Sequence, residues 1–156
     1  MDNAKKILII DEDEDVCRML KTRFSTFGHT VYLSGKKDDP LTLLKKNPDL
    51  IILEILLSGK DGYFICSKLR QKTKIPIIFL TTLGSISDRV LGLNIGADDY
   101  IVKPFSLKEL EVRINIILRN SSNDSYLEPF TLKSTLTIND LEIDIYRKKV
   151  FKQNKL

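Results

Sequence analysis

Five side chains stand directly at the ends of short apolar runs and carry groups that bind cations or phosphoryl oxygens. Asp11 and Glu12 follow Ile7-Leu8-Ile9-Ile10, Glu54 follows Leu50-Ile51-Ile52-Leu53, Thr81 closes the run from Ile75 to Leu80, and Lys103 follows Tyr100-Ile101-Val102. Carboxylates brought together from the first and third runs can hold Mg2+, a hard cation that takes octahedral oxygen ligands. A hydroxyl and an ammonium opposite them would contact a phosphoryl group and neutralise its charge, which is most of what phosphoryl transfer asks of a protein. Taken singly, each has an ordinary reading: an acid after a strand caps the next helix, as Asp13 is placed to do, and a lysine is a solvated charge. Their shared position makes them a set, because open parallel sheets gather function at the carboxyl ends of their strands.

The elements that must position this set are legible in the spacing. Those four apolar runs, with Val31-Tyr32-Leu33, read as five strands, and the amphipathic stretches between them as covering helices. Val16, Met19, Leu20, Phe24 and Phe27 form the first helix, ended by Gly28. Asp39-Pro40 opens a short second helix carrying Leu41 and Leu44, closed by Pro48. Ile65, Cys66 and Leu69 lie on a third, and a fourth runs from Ser85 to Ile95 before Gly96. The fifth starts with a capping box, Ser106-Leu107-Lys108-Glu109, and buries Leu107, Leu110, Ile114 and Ile117. The pattern predicts an α/β fold with a doubly wound, five-stranded parallel sheet over residues 4 to 119. Residues 120 to 134 open with Asn-Ser-Ser-Asn-Asp-Ser and read as a linker. Residues 135 to 156 alternate apolar with polar positions, as short antiparallel strands do.

Composition narrows the function classes. Cys17 and Cys66 lack any metal or redox spacing and read as reduced core residues, and His29 reads as structural. No apolar stretch approaches the roughly 18 to 20 residues of a membrane span, and Lys5-Lys6 leads into only four apolar residues before an acidic cluster. The expectation is a soluble, cytoplasmic protein without membrane contact. The net charge of +4 is spread along the chain, with no concentrated basic patch to announce nucleic acid.

Longer stretches carry a resemblance. Ile7-Leu-Ile-Ile-Asp-Glu-Asp, Pro48-Asp-Leu-Ile-Ile-Leu-Glu, Gly59-Lys-Asp-Gly-Tyr, Pro76-Ile-Ile-Phe-Leu-Thr and Leu91-Gly-Leu-Asn-Ile-Gly-Ala-Asp-Asp-Tyr-Ile-Val-Lys-Pro-Phe resemble response-regulator receiver domains of the OmpR/PhoB class. The stretch from Leu136 to Phe151 resembles the opening sheet of that class's winged-helix DNA-binding domain. The resemblance implies a flavodoxin-like sheet of order 2-1-3-4-5 and a Mg2+ site made by Asp11, Glu12, residue 54 and the backbone carbonyl of Leu56. It makes Thr81 and Tyr100 the switch pair, and Lys103 the phosphate-side lysine with a cis bond to Pro104. It further implies a two-fold dimer through the fourth helix, fifth strand and fifth helix, using Arg89, Leu93, Asp98, Asp99, Glu109 and Arg113.

Departures from that pattern shape the functional expectation. The phosphoacceptor of the family is aspartate, and this chain has Glu54. One extra C–C bond shifts the carboxylate by about 1.5 Å, and a misplacement near 1 Å costs on the order of a hundredfold in a positioned reaction. Glu54 and Glu12 together weaken the expected Mg2+ site, while Glu54 puts a negative charge nearer to where a phosphoryl group would sit. The sequence therefore predicts an atypical two-component response regulator, not an enzyme, with impaired or absent phosphorylation. Its expected partners are a second copy of itself and a sensor histidine kinase. DNA is a partner only with a full output domain, because no recognition helix follows the short strands. One alternative is a fragment or truncation of a conventional DNA-binding transcriptional regulator. The other is a metal-dependent phosphatase or phosphotransferase on a similar sheet, for which a second acid or a substrate cap is not visible.

Overall fold

An apolar side chain at every position of a strand demands cover on both faces of the sheet. In the computed structural model, which describes residues 4–121, 135–138, 141–144 and 149–152, the central strands are buried in that way. The first unit, Met1–Asn123, contains β1 (Lys6–Ile10), α1 (Glu14–Thr26), β2 (Thr30–Leu33), a 3-10 helix (Thr42–Lys46) and β3 (Leu50–Leu53). After these come β4 (Leu56–Leu57), β5 (Lys60–Asp61), α2 (Gly62–Lys72), β6 (Ile77–Thr81), α3 (Ile86–Ile95), β7 (Asp99–Val102) and α4 (Leu107–Ser121). The parallel sheet runs β2-β1-β3-β6-β7, the expected flavodoxin-like order once the two-residue hairpin β4-β5 is set aside.

Alternation along each strand divides the core between the two faces. Ile7 and Ile9 join Leu50, Ile52, Ile78 and Leu80 beneath α1 and α4, where Leu20, Phe24, Leu110 and Ile114 cover them. Leu8 and Ile10 join Ile51, Leu53, Ile77 and Phe79 on the other face, covered by Ile65, Cys66 and Leu69 of α2. Each fully buried aliphatic side chain contributes about 1.5–3 kcal/mol, so the two layers need no cross-link. Burial pushes the thiols of Cys17 and Cys66 up to about 11, in keeping with inert core residues.

Caps follow the sequence closely. Asp13 accepts from the amides of Asp15 and Val16 at the start of α1, Asp61 from Tyr63 at α2, and Ser85 from Asp88 at α3. Ser106 accepts from the Glu109 amide at 3.3 Å, but the Glu109 carboxylate turns to Arg113 instead of completing the capping box. The expected short second helix is present as a five-residue 3-10 helix, with Leu41 at its N-cap. Pro40 and Pro48 bracket too few residues for several α-turns, and Asn47, left-handed at φ 51°, ends the segment before Pro48. The last helix continues through Asn120 and Ser121, two residues into the expected linker, and linker residues 122–134 lie outside the described residues. In the second unit, Asp124–Leu156, the strands β8 (Thr135–Ile138), β9 (Leu141–Asp144) and β10 (Lys149–Lys152) form an antiparallel sheet in the order β10-β9-β8. Of the alternating stretch expected over residues 135 to 156, positions 139–140, 145–148 and 153–156 lie outside the described residues.

His29 has the structural role expected of it, in the turn between α1 and β2. Its Nδ1 accepts from the Lys5 amide at 3.1 Å, so the ring must be neutral there, and burial, with Lys5 nearby, lowers its pKa below the ordinary 6.5. The unfolded chain therefore binds this proton more readily than the folded one. Stability should be full above about pH 6.5 and fall as the pH drops through the lowered folded value, by at most the ~1 kcal/mol net value of one hydrogen bond. Urea titrations from pH 5 to 7.5 on the protein and on His29→Gln check this: the pH-dependent part should vanish in the variant.

Candidate functional site

The register of the sheet brings the singled-out residues to one edge. Ile10 pairs with Leu53, so Asp11 and Glu54 emerge side by side, and the Glu54 amide donates to the Ile10 carbonyl at 2.9 Å. Thr81 pairs with Val102, and the Lys103 amide donates to the Thr81 carbonyl at 2.7 Å. Asp11, Glu54 and Thr81 are all buried, as is most of the Lys103 side chain.

At the centre the Lys103 ammonium bridges two carboxylates, donating to Asp11 Oδ2 at 2.7 Å and Glu54 Oε2 at 2.9 Å. Burial alone would lower the pKa of this lysine, but the hydrogen bonds to Asp11 and Glu54 outweigh it and hold the ammonium above its ordinary value. The remaining carboxylate oxygens are also occupied. Asp11 Oδ1 accepts from the Asp13 amide at 2.9 Å, and Glu54 Oε1 from the amides of Ile55 at 2.7 Å and Leu56 at 3.0 Å. The longer side chain of glutamate allows this: it curls back over the following two amides while its other oxygen reaches Lys103.

Glu12 does not join them. Its carboxylate accepts from the Ser58 hydroxyl at 2.6 Å and from the Ser58 amide at 3.0 Å, and these bonds lower its pKa. Thr81 Oγ1 accepts from the Leu83 amide at 3.3 Å. Tyr100 is turned inward against Phe79, with ring centroids 5.8 Å apart, and its hydroxyl donates to the Leu83 carbonyl at 2.7 Å. The Lys103–Pro104 bond is cis, as expected.

These donors do not fit the Mg2+ site the resemblance implies. Among the described residues, no group of three or more His, Cys, Asp and Glu is arranged to hold a metal ion. An ammonium occupies the space between two of the expected ligands, and the third is bound to Ser58. Leu56, whose carbonyl was the fourth expected ligand, lies in the β4-β5 hairpin opposite Asp61. The opening beside Asp11 and Glu12 measures about 10 Å³, room for about one water.

The expected dimer residues are placed unevenly. Arg113 bonds Asp99 at 3.0 Å and Glu109 at 2.8 Å within the same chain, so these charges form one cluster on β7 and α4. Leu93 is half-buried against the chain's own core, while Val90, Leu91 and Val112 are exposed apolar residues of α3 and α4, and Arg89 is exposed beside them. Asp98 instead bonds Arg70 at 2.6 Å and accepts from the Ile77 amide. Arg70 also donates to the carbonyls of Gly96 and Ile75, tying α2 to the loops around it.

Sequence reasoning missed three contributors. Ser58 diverts Glu12, and nothing at position 58 signals that. A Cβ on Gly62 would lie 2.4 Å from the Glu54 carbonyl, and one on Gly92 would lie 2.9 Å from the Tyr100 ring. These two glycines let α2 approach residue 54 and let Tyr100 turn inward, and a glycine inside a helical pattern is the signal that could have found both.

Comparison with known proteins agrees with this architecture. The family described as the response regulator receiver domain matches residues 7–115. A probable transcriptional regulator ycf27 of Cyanophora paradoxa is 42% identical over 154 residues, covering 98% of this chain and 64% of that protein. The Galdieria sulphuraria protein of the same name is 42% identical, with 99% and 62% covered. This chain thus spans a little under two thirds of the length of these relatives. Among solved structures, a two-component response regulator from Clostridium difficile superimposes with a TM-score of 0.71 at 37% identity, over 76% of this chain and 99% of that one. The BeF3-activated N-terminal receiver domain of Klebsiella pneumoniae RstA gives 0.69 at 31% identity, over 73% and 98%.

Proposed function

Because this chain belongs to the response regulator receiver family, we propose that it is an atypical member in which Glu54 leaves phosphorylation impaired or absent, and that it acts in transcriptional regulation through dimerisation. The observation carrying this reading is the engagement of Glu54: both carboxylate oxygens are held, by Lys103 and by two backbone amides, where the family has an aspartate nucleophile. The negative charge pinned on Lys103, together with the inward Tyr100, supports a receiver whose output surface is set without a phosphodonor. The chain then works as a binding module and not as an enzyme.

Its partners in this reading are a second copy and, for input, a sensor histidine kinase. Relatives named transcriptional regulators support assigning residues 4–119 to the receiver, 120–134 to a linker and 135–156 to the opening sheet of a winged-helix domain, with DNA bound only through a full output domain. A cytoplasmic site of action accords with the described residues, none of whose helices is long and apolar enough to cross a membrane.

Dimerisation is tested by sedimentation without phosphodonor. The surface of α3, β7 and α4 carries Arg89, the Asp99–Arg113–Glu109 cluster and the exposed Val90 and Val112. Two-fold symmetry repeats every contact. Two copies of a pair worth about 0–1 kcal/mol each make Arg89→Glu weaken the dimer on the order of tenfold. Glu109→Arg should restore only part of this, because it also breaks the bond to Arg113 in its own chain. A strict monomer at high micromolar concentration, indifferent to both changes, would overturn the proposal.

A further inference from the structure

We propose that in this chain the Lys103 ammonium stands permanently where the receiver site would otherwise recruit a divalent cation, so that the pocket at the strand ends is closed to Mg2+. This rests on the receiver reading but not on dimerisation. Mg2+ requires near-ideal octahedral oxygen coordination at about 2.0–2.1 Å and keeps several of its waters. Here Asp11 Oδ2 and Glu54 Oε2 are taken by one ammonium at 2.7 and 2.9 Å, while their other oxygens cap the amides of Asp13, Ile55 and Leu56. A divalent ion on either Lys103-bound oxygen would sit within about 5 Å of that ammonium, repelled in a poorly hydrated pocket.

Displacing Lys103 is also unfavourable. Its side chain is 12% exposed and its amide is bonded to the Thr81 carbonyl, so it cannot swing into solvent without leaving two buried carboxylates facing each other. The acid that could compensate, Glu12, is committed to Ser58 beside the β4-β5 hairpin. Glutamate at position 54 is what closes the arrangement, since it spans from its own strand end to Lys103 while still holding the Ile55 and Leu56 amides.

The test is a Mg2+ titration of the unaltered protein at constant ionic strength, following amide nitrogen and proton shifts of Asp13, Ile55 and Leu56 and the melting temperature. Both should stay unmoved through millimolar Mg2+. In Lys103→Met the freed carboxylates should bind the ion, so the same amides should shift and the melting temperature should rise with Mg2+. Saturable shifts in the unaltered protein at millimolar Mg2+ would overturn the inference, as would a folded Lys103→Met that ignores the ion. If that variant does not fold, the unaltered protein's titration decides alone. Binding of Mg2+ without any phosphoryl gain at Glu54 would defeat this inference and leave the proposed function standing, whereas a phosphoryl gain would defeat the proposed function.

Discussion

Replacing Lys103 with methionine should destabilise the protein by about 3–5 kcal/mol, the usual cost of removing one partner from a buried ion pair. Asp11 and Glu54 each expose only 6% of their side chains, and without the ammonium they are left as two adjacent buried carboxylates. Like charges at this separation drive one of them to take up a proton, raising its folded pKa above the unfolded value. The folded variant then binds more protons than its unfolded chain, so the loss should be smaller near pH 5 and larger near pH 8. In the unaltered protein the linkage has the same sign but a higher window: Lys103 is raised above 10.5, so its contribution is complete through the neutral range and is lost only as the pH climbs beyond that value. Urea unfolding of both proteins at the two pH values checks the prediction. A pH-independent loss below about 1 kcal/mol, typical of an exposed pair, would mean that the bridge is not a buried interaction.

Shortening residue 54 should have the largest effect on chemistry. Glu54→Asp withdraws the carboxylate by about 1.5 Å, which removes its reach to Lys103 while the amide contacts are shed, and frees an oxygen for attack. Recovering a near-1 Å misplacement is worth on the order of a hundredfold in rate, so phosphorylation by a small-molecule donor should become at least that much faster in the variant. Recovery should be partial, because Glu12 remains on Ser58. Adding Glu12→Asp, which is too short to keep that contact in full, should improve it further.

The fold was legible because burial of uninterrupted apolar runs dominates its stability, and Ile7–Ile10, Leu50–Leu53 and Ile77–Leu80 admit few other arrangements. Helix starts were legible where a cap determined them, at Asp13 and Ser85. The 3-10 form of the short second helix and the β4-β5 hairpin were not, because segments of two to five residues have too few repeats for a period to show, and there Asn47 and Gly59, at positive φ, decide the path. The location of the site was legible, since strand ends follow from strands. Its wiring was not: Glu12 chose Ser58, 46 residues away, and Asp98, read as an interface charge, chose Arg70. Such choices among hydrogen-bond partners depend on rotamers and distances that spacing in a sequence does not encode.

Whether Glu54 takes a phosphoryl group is tested most directly by the intact mass of the unaltered protein after incubation with Mg2+ and a small-molecule phosphodonor, with Glu54→Asp treated in parallel. The expected result is an unchanged mass for the glutamate protein and a phosphoryl adduct on the aspartate variant. A stoichiometric adduct on the unaltered protein, mapped to residue 54, would contradict it.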